Sequence, residues 1–296
     1  MRPNRADALA RESRWSLPVA LATFVAIGLL VAATIIFRSI GGDSDAEALR
    51  LIDEKGSTVI LSGIMQAVGF LLLAAPLVYL FRAAQARSER VRGQLIGLIV
   101  AAPVFLGVSA FLISVAATDA ASEFQAGKAS ADLTRAEGAD DCREERSDDT
   151  TSFRDDFGAG TGAIQRCAGA RVADDEAENA VADAPTRQIG FGFGLGGRLG
   201  LAVALLYSCL WAMRVGLLTR FWGSLGMAMG VAALLLLLEF TLVWFFYFAL
   251  LAAGWVPGGR PAAWETGEAM PWPTPGEKAS EEIEAPDSGE GGDGRA

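Results

Sequence analysis

Long apolar blocks alternate with polar segments along this chain. The blocks cover residues 17–37, 58–81, 95–117, 199–218 and 222–255. The first three contain no charged side chain, and about 20 consecutive apolar residues are enough for one helical crossing of a bilayer. The pattern therefore predicts an all-α integral membrane protein, a bundle of about five transmembrane helices with a long acidic segment outside the membrane.

The apolar and polar blocks divide the chain into four predicted regions. They are an N-terminal membrane region with three spans (1–117), an acidic, largely disordered extracytoplasmic segment (118–194), a C-terminal membrane region (195–256) and a Pro/Gly-rich acidic tail (257–296). The acidic segment is poor in aromatic residues, so we expect most of it to bury too little apolar surface to fold by itself. Short helical turns are expected over 119–137 and 174–183.

The fifth apolar block allows two topologies. Its 34 residues would make a helix about 51 Å long, although the hydrocarbon core of a bilayer is only about 30 Å thick. A hairpin would give six spans and a cytoplasmic tail, with Glu239 at the turn. A single long helix would give five spans and a tail on the outer side. The sequence around Glu239 has no Gly, Pro, Asn or Asp to form a tight turn, which favours the single helix.

Arginine positions predict the orientation of the spans. Four arginines precede the first block, four lie in the linker 82–94, and Arg214 and Arg220 flank the link between the last two blocks. Alternating spans place all three segments on one side, and the positive-inside rule makes that side the cytoplasm. We therefore expect a multi-pass protein of the bacterial cytoplasmic membrane with a cytoplasmic amino terminus and the lipid bilayer as its main partner.

Composition excludes several kinds of chemistry. The chain has no histidine, three cysteines and a net charge of −10. Without histidine, the commonest metal ligand is missing and a zinc site is not expected. The spans contain neither a nucleophile–base pair nor paired carboxylates. We therefore expect no catalytic residues, no cofactor, no metal and no nucleic-acid partner.

The cysteines leave one question open. Cys142 and Cys167 both lie in the acidic segment, and on an oxidising face they would form a disulfide worth about 3–4 kcal/mol. The other interpretation is a pair of free thiols in a disordered loop. Cys209, inside the fourth block, is expected to be a small packing residue.

Four polar residues in or beside the spans are candidate functional groups: Glu239, Gln66, Arg198 and Arg214. Glu239 is either an interfacial carboxylate paired with Arg198, or a proton or cation site within the bundle. Two functions remain open. The favoured one is a structural or interaction module that contacts another membrane or envelope protein. The alternative is a small-solute or proton-coupled transporter that uses Glu239.

Glycines are frequent near the spans. The stretch "GFGFGLGG" (190–197) lacks the spacing of a dinucleotide-binding loop, so we expect it to form a flexible entry into the fourth span. Three G-x-x-x-G pairs, Gly93/Gly97, Gly196/Gly200 and Gly226/Gly230, are expected to let helices of one bundle approach closely.

Two stretches near the carboxyl end carry a resemblance. They are "WAMRVGLLTRFWGSLGMAMG" (211–230) and "PGGRPAAWETGEAMPWP" (257–273). Both resemble a group of multi-pass integral membrane proteins of high-GC bacteria that has no assigned activity. The likeness covers mainly the last third of the chain, and the long acidic segment resembles an insertion found in fewer members. It implies a membrane protein and implies no catalytic residue.

Overall fold

The structure, a computed structural model, describes residues 5–42, 44–127, 134, 136–140, 142, 160–235 and 238–272. These residues form helices and no strand. The helices are α1 (Arg5–Arg38), α2 (Asp45–Glu54), α3 (Gly56–Leu72), α4 (Ala74–Arg87), α5 (Ile96–Gln125, after a 3₁₀ turn at Gly93–Leu95), α6 (Gly160–Asp183), α7 (Pro185–Arg214), α8 (Arg220–Leu234), α9 (Leu238–Ala253) and α10 (Ala262–Thr266).

Four helical stretches in the described part of the chain are long and apolar enough to cross a membrane. They are Ala6–Arg38, Gly56–Arg87, Gly93–Gln125 and Pro185–Arg214, and they coincide with the first four apolar blocks. This confirms the predicted all-helical fold with apolar helices of membrane-spanning length. Large apolar side chains remain exposed along these helices, including Leu21, Phe111 and Val203, as expected where lipid tails surround a bundle.

Proline interrupts one span and not another. The second span is divided at Leu73 into α3 and α4, three residues before Pro76. Proline lacks an N–H donor, and its ring clashes with the carbonyl four residues earlier, so the regular helical hydrogen bonding is broken. In contrast, α5 continues through Pro103.

The fifth apolar block forms two antiparallel helices, α8 and α9. The ring of Trp222 stacks on Tyr247 with centroids 3.4 Å apart. The Trp244 indole N–H donates to the Trp222 carbonyl at 3.0 Å, and nearer the turn the Thr241 hydroxyl donates to the Met229 carbonyl at 3.4 Å. These paired contacts require α9 to run back along α8.

The preference for a single long helix over 222–255 was therefore wrong, because the block folds into two helices that pack as a hairpin. Packing of α8 against α9 stabilises the hairpin, and the absence of turn-forming residues near Glu239 gives no information about that packing. A Cβ at Gly226 would lie 2.5 Å from the Trp244 indole nitrogen, so only glycine lets α9 approach this closely. With 15 and 16 residues, α8 and α9 are about 22–24 Å long, shorter than the hydrocarbon core.

The bundle has two chemically different ends. We call the end where α1 begins and where α4 and α7 finish the basic end. We call the opposite end, where α1 and α5 finish, the acidic end. Residues 254–272 pack at the basic end, since the Met270 amide donates to the Val215 carbonyl at 3.1 Å. The described part of the tail thus lies beside the amino terminus, as the hairpin topology requires.

The most extensive helix pair, α5 with α7, packs through glycine. Gly190, Gly194, Gly197 and Gly200 are buried on one face of α7. A Cβ at Gly197 would lie 2.8 Å from the Leu106 backbone nitrogen, and one at Gly200 would lie 2.8 Å from the Ala102 Cβ. The expectation that 190–197 is a flexible entry was wrong, because the stretch is helical and Gly190, Gly194 and Gly197 pack closely on α5.

The three predicted G-x-x-x-G pairs behave differently from one another. Gly226 and Gly230 both face α7, and a Cβ at Gly230 would lie 3.1 Å from the Ala202 carbonyl oxygen. Gly200 also packs on α5. Gly97, however, has nothing within 4 Å of a built Cβ, so the Gly93/Gly97 pair makes no close helix contact at that residue.

The acidic segment is more helical than predicted where the structure describes it. Helix α5 extends to Gln125, and α6 is continuous over Gly160–Asp183, where the sequence predicted a short turn at 174–183. Most of 128–159 lies outside the described residues. Helix α2 is capped by Ser44, whose hydroxyl accepts from the Glu47 amide at 3.3 Å, and it ends before Gly56, which begins α3.

Candidate functional sites at the two ends of the bundle

Glu239 lies in the first turn of α9, close to the hairpin turn. Its Oε1 accepts from the Arg38 guanidinium at 3.2 Å, and both side chains are largely exposed, 68% for Glu239 and 73% for Arg38. The expected pairing with Arg198 was wrong, because the hairpin places Glu239 beside the last residue of α1. The carboxylate is at the acidic end of the bundle and not in its interior.

The other candidate polar residues do not join Glu239. Arg214, at the basic end of α7, stacks over Trp211 with 5.2 Å from its guanidinium carbon to the ring centroid. Arg198 lies 16 residues earlier in α7, about 24 Å along the helix, and its Nε is buried without a hydrogen-bond partner. Gln66 is half-buried on α3. No hydrogen bond or ion pair joins any two of these four side chains.

Helices α2, α6 and the last turns of α5 pack together beyond the spans. Their contact is a small apolar cluster that includes Leu49, Ala121 and Ala177. The Ala46 amide, in the first turn of α2, donates to the Asp174 carboxylate at 3.0 Å, a favourable position for an anion at a helix amino terminus. These three elements form what we call the acidic surface.

Acidic side chains outnumber basic ones on the acidic surface. The acidic residues are Asp45, Glu47, Asp53, Glu54, Asp119, Glu123, Asp174, Asp175, Glu176, Glu178 and Asp183, and the basic residues are Arg50, Lys55, Arg166 and Arg171. Since α5 has 30 residues and α7 has 30, each is about 45 Å long, and about 15 Å of each extends beyond a 30 Å hydrocarbon core.

A disulfide joins Cys142 to Cys167, the two cysteines considered for pairing from the sequence. Their Cα atoms are 6.3 Å apart. Cys167 belongs to α6, so the bond ties residues that precede α6 to the acidic surface. Cys209 is a free, buried cysteine, and a Cβ at Gly226 would lie 2.4 Å from its Sγ. It packs between helices, as expected.

An arginine that the sequence marked only as a topological signal organises the basic end. The Arg87 side chain is 1% exposed and donates to both carboxylate oxygens of Glu12, at 2.6 and 2.8 Å. It also donates to the Ala263 carbonyl at 2.8 and 3.0 Å and to the Ala83 carbonyl at 2.9 Å. One guanidinium therefore connects α1, α4 and α10.

Aromatic side chains complete this arrangement, which we call the Arg87 cluster. The Arg87 guanidinium carbon lies 5.6 Å from the centroid of the Trp264 ring. Trp264 stacks on Tyr79 with centroids 5.5 Å apart, and the Tyr79 hydroxyl donates to the Glu12 carbonyl at 3.0 Å. Such buried, bidentate pairs hold their partners in one geometry.

The tail is fixed to the link between α7 and α8 by further hydrogen bonds. The indole N–H of Trp264 donates to the Leu217 carbonyl at 2.9 Å, and that of Trp272 donates to the Leu218 carbonyl at 2.8 Å. Gly216 has φ of 78°, and a Cβ there would lie 1.9 Å from the Met270 carbonyl oxygen. The two stretches that carry the resemblance, 211–230 and 257–273, are thus in direct contact.

A cleft of about 930 Å³ opens beside the Arg87 cluster, between the first turns of α1 and the last turns of α4. We call it the basic-end cleft. Arg11 and Arg82 line it and are exposed, whereas Trp15, Val19 and Val78 extend the lining toward the apolar blocks. Sequence reasoning did not select these residues, because their juxtaposition depends on α1 and α4 packing side by side.

Nothing in the described part of the chain groups three or more His, Cys, Asp or Glu side chains as a metal site would require. Comparison with protein-family models, curated proteins and solved structures gave no match. The resemblance to membrane proteins of high-GC bacteria therefore stays a prediction. The fold itself assigns the class, a helical protein with four helices long and apolar enough to cross a membrane.

Proposed function

We propose that this chain is a multi-pass interaction module of the bacterial cytoplasmic membrane. Its amino terminus and tail lie in the cytoplasm, and the acidic surface outside the cytoplasm docks a protein with a basic face. The observation that carries this proposal is the extension of α5 beyond the predicted span, whose last turns pack against α2 and α6. A rigid, charged surface of this kind suits electrostatic recognition of a partner.

The bundle interior supports a structural role over a conducting one. Among the described residues of the spans, the polar residues that are buried as whole residues all carry hydroxyl side chains: Thr23, Ser62, Ser109, Ser114, Ser208 and Thr241. Thr23 and Ser62 donate to carbonyls of their own helices, at 2.7 and 2.9 Å. Hydroxyls that donate in this way serve the backbone of their own helix, whereas the Ser208 hydroxyl on α7 is buried without a hydrogen-bond partner among the described residues.

The docking surface can be tested by photocrosslinking in intact cells. A photoreactive amino acid is placed at Glu54 or Glu178, both exposed on the acidic surface, and in a control at Ser13, exposed at the basic end. We expect one defined protein adduct from the first two positions and none from Ser13. Reversal of charge at Asp53 and Glu123 should reduce the adduct about tenfold or more, because like charges then face the basic partner.

The adduct must be specific for the acidic surface. Reversal of charge at Glu239, which is exposed but belongs to the hairpin, is the matched control and should leave the adduct unchanged. If the crosslink persists at full yield after reversal at Asp53 and Glu123, the acidic surface does not dock the partner.

The alternative function is a small-solute or proton-coupled transporter that uses Glu239. One observation favours it: the buried, unpartnered Nε of Arg198 within α7, because a polar group inside a span is often functional. The exposure of Glu239 and its pairing with Arg38 argue for a surface role instead.

Glu239→Gln distinguishes the two functions. We expect no change in growth or membrane potential between about pH 5 and 9, and a loss of no more than about 1 kcal/mol in unfolding free energy, as for exposed ion pairs. Arg38→Gln should give the same result, since it removes the same pair. A shift in the pH dependence of membrane potential for Glu239→Gln alone would instead support transport.

A further inference from the structure

The basic-end cleft combines an apolar wall with two free cationic groups. Neither Arg11 nor Arg82 has a hydrogen-bond or ion-pair partner within the described ranges, and both side chains are exposed at the cleft. Elsewhere at this end Arg87 is fully engaged with Glu12 and Ala263. The cleft therefore retains two arginines that no carboxylate in the described ranges pairs with.

The carboxylates near the cleft do not cancel this charge. Glu12 lines the cleft, but both of its carboxylate oxygens accept from Arg87. Glu89 is exposed in the segment after α4 and is the remaining acidic residue among the lining side chains. An anionic group placed between Arg11 and Arg82 would therefore meet a net positive surface.

The apolar part of the cleft indicates what the anionic group is attached to. Val19, Ala75 and Val78 lie within the first and second apolar blocks, and Trp15 stands just before the first of them. Tryptophan is enriched at the level of lipid headgroups. A ligand that fills the cleft must therefore be polar and anionic at the α1 terminus and apolar toward the spans.

We propose that the basic-end cleft binds an anionic membrane phospholipid, with its phosphate between Arg11 and Arg82 and the start of its acyl chains along Trp15 and Val78. The volume of about 930 Å³ matches pockets that hold large organic ligands and far exceeds what a single phosphate ion would fill. Basic pockets between spanning helices are known to take anionic lipid headgroups.

This site is independent of the acidic surface and lies at the opposite end of the bundle. Bound lipid would contact α1 and α4 together, next to the Arg87 cluster that joins these helices to the tail. Occupation would therefore stabilise the folded chain in proportion to lipid concentration. In a cytoplasmic leaflet that carries anionic lipids, the cleft would be occupied by default.

Native mass spectrometry of the detergent-purified full chain tests the proposal, with phosphatidylglycerol and phosphatidylcholine as probes. We expect one retained phosphatidylglycerol, bound about tenfold or more tightly than phosphatidylcholine. The double variant Arg11→Gln/Arg82→Gln should bind phosphatidylglycerol about thirtyfold more weakly. Each arginine near a phosphate contributes about 1 kcal/mol, which is roughly a fivefold to sixfold change in Kd. Arg14→Gln, one turn from Arg11 and outside the cleft, should change it less than about threefold.

A steric pair of variants separates the cleft from general surface charge. Ala8→Trp fills the cleft, whereas Ala10→Trp adds the same side chain at an exposed position that does not line it. We expect lipid retention to fall for Ala8→Trp alone, with thermal unfolding of both variants close to that of the unaltered chain. Equal losses for the two variants, or for Arg14→Gln and the double variant, would overturn the proposal.

Two other occupants are distinguished by the same assay. Inorganic phosphate at millimolar concentration should not displace phosphatidylglycerol, and displacement would show a phosphate site without lipid specificity. The acidic tail, residues 273–296, could instead reach the arginines. If a chain that ends at Trp272 prefers phosphatidylglycerol and the full chain does not, the tail is the occupant and the lipid proposal fails.

Discussion

Arg87→Ala is expected to lower the free energy of unfolding by about 3–5 kcal/mol, the cost of removing one partner from a buried ion pair. The substitution leaves the Glu12 carboxylate without its two donors and the Ala263 carbonyl without any side-chain donor. The measurement is a thermal or denaturant midpoint in detergent, together with protease accessibility of residues 254–272, which should increase.

Two further substitutions show that geometry, and not charge alone, explains this effect. Arg87→Lys keeps the charge but loses the planar guanidinium that donates to Glu12 and Ala263 together. We therefore expect this variant to lose nearly as much unfolding free energy as Arg87→Ala. Arg90→Ala removes an exposed arginine three residues away and should stay within about 0.5 kcal/mol of the unaltered chain. A midpoint for Arg87→Ala equal to that of Arg90→Ala would contradict the buried role of Arg87.

The spans could be predicted from the sequence because their signal is local. A run such as 95–117 has no charged residue, and in lipid a helix is the structure that satisfies every backbone group within one segment. The break at Leu73 has an equally local cause, since Pro76 follows three residues later and lacks an N–H donor. The membrane class therefore followed from composition along the chain, without knowledge of any contact.

The sequence allowed the hairpin but could not favour it over the single helix, because the stability of the hairpin comes from contacts between residues distant in sequence. The rule that a tight turn needs Gly, Pro, Asn or Asp weighs only the residues at the turn. Here the stacking of Trp222 on Tyr247 and the close approach at Gly226 outweigh the absence of such residues. The hairpin determines both the end of the bundle at which residues 254–272 pack and the arginine that pairs with Glu239. Both therefore differ from what a single helix would give.

The basic end illustrates a second limit of sequence reasoning. Arginines in the linker 82–94 indicated which side of the membrane the linker occupies, and that use treats them as interchangeable. The structure separates them: Arg87 is buried among hydrogen-bond acceptors, Arg82 is exposed at a cleft, and Arg90 is exposed without such acceptors. These three arginines differ in their surroundings because α1 packs against α4, and the sequence of the linker does not show that packing.

The glycine face of α7 leaves little room for a side chain where it packs on α5. Gly197→Ala is expected to destabilise the protein by about 1–3 kcal/mol, the usual cost of overpacking a close contact. The new Cβ would lie 2.8 Å from the Leu106 backbone nitrogen, which cannot rotate away as a side chain can. Helix α5 must therefore move as a whole, and the midpoint of thermal unfolding should fall.

Gly192→Ala is the matched control within the same helix. It makes the identical chemical change one and a half turns earlier, at a position where nothing lies within 4 Å of a built Cβ. Alanine favours helix over glycine by up to about 1 kcal/mol, so this variant should equal or exceed the stability of the unaltered chain. If α7 contacts α5 through one face, the substitution at Gly197 must lower the stability and the substitution at Gly192 must not. If both variants lose stability equally, the face of α7 that contacts α5 is not the glycine face.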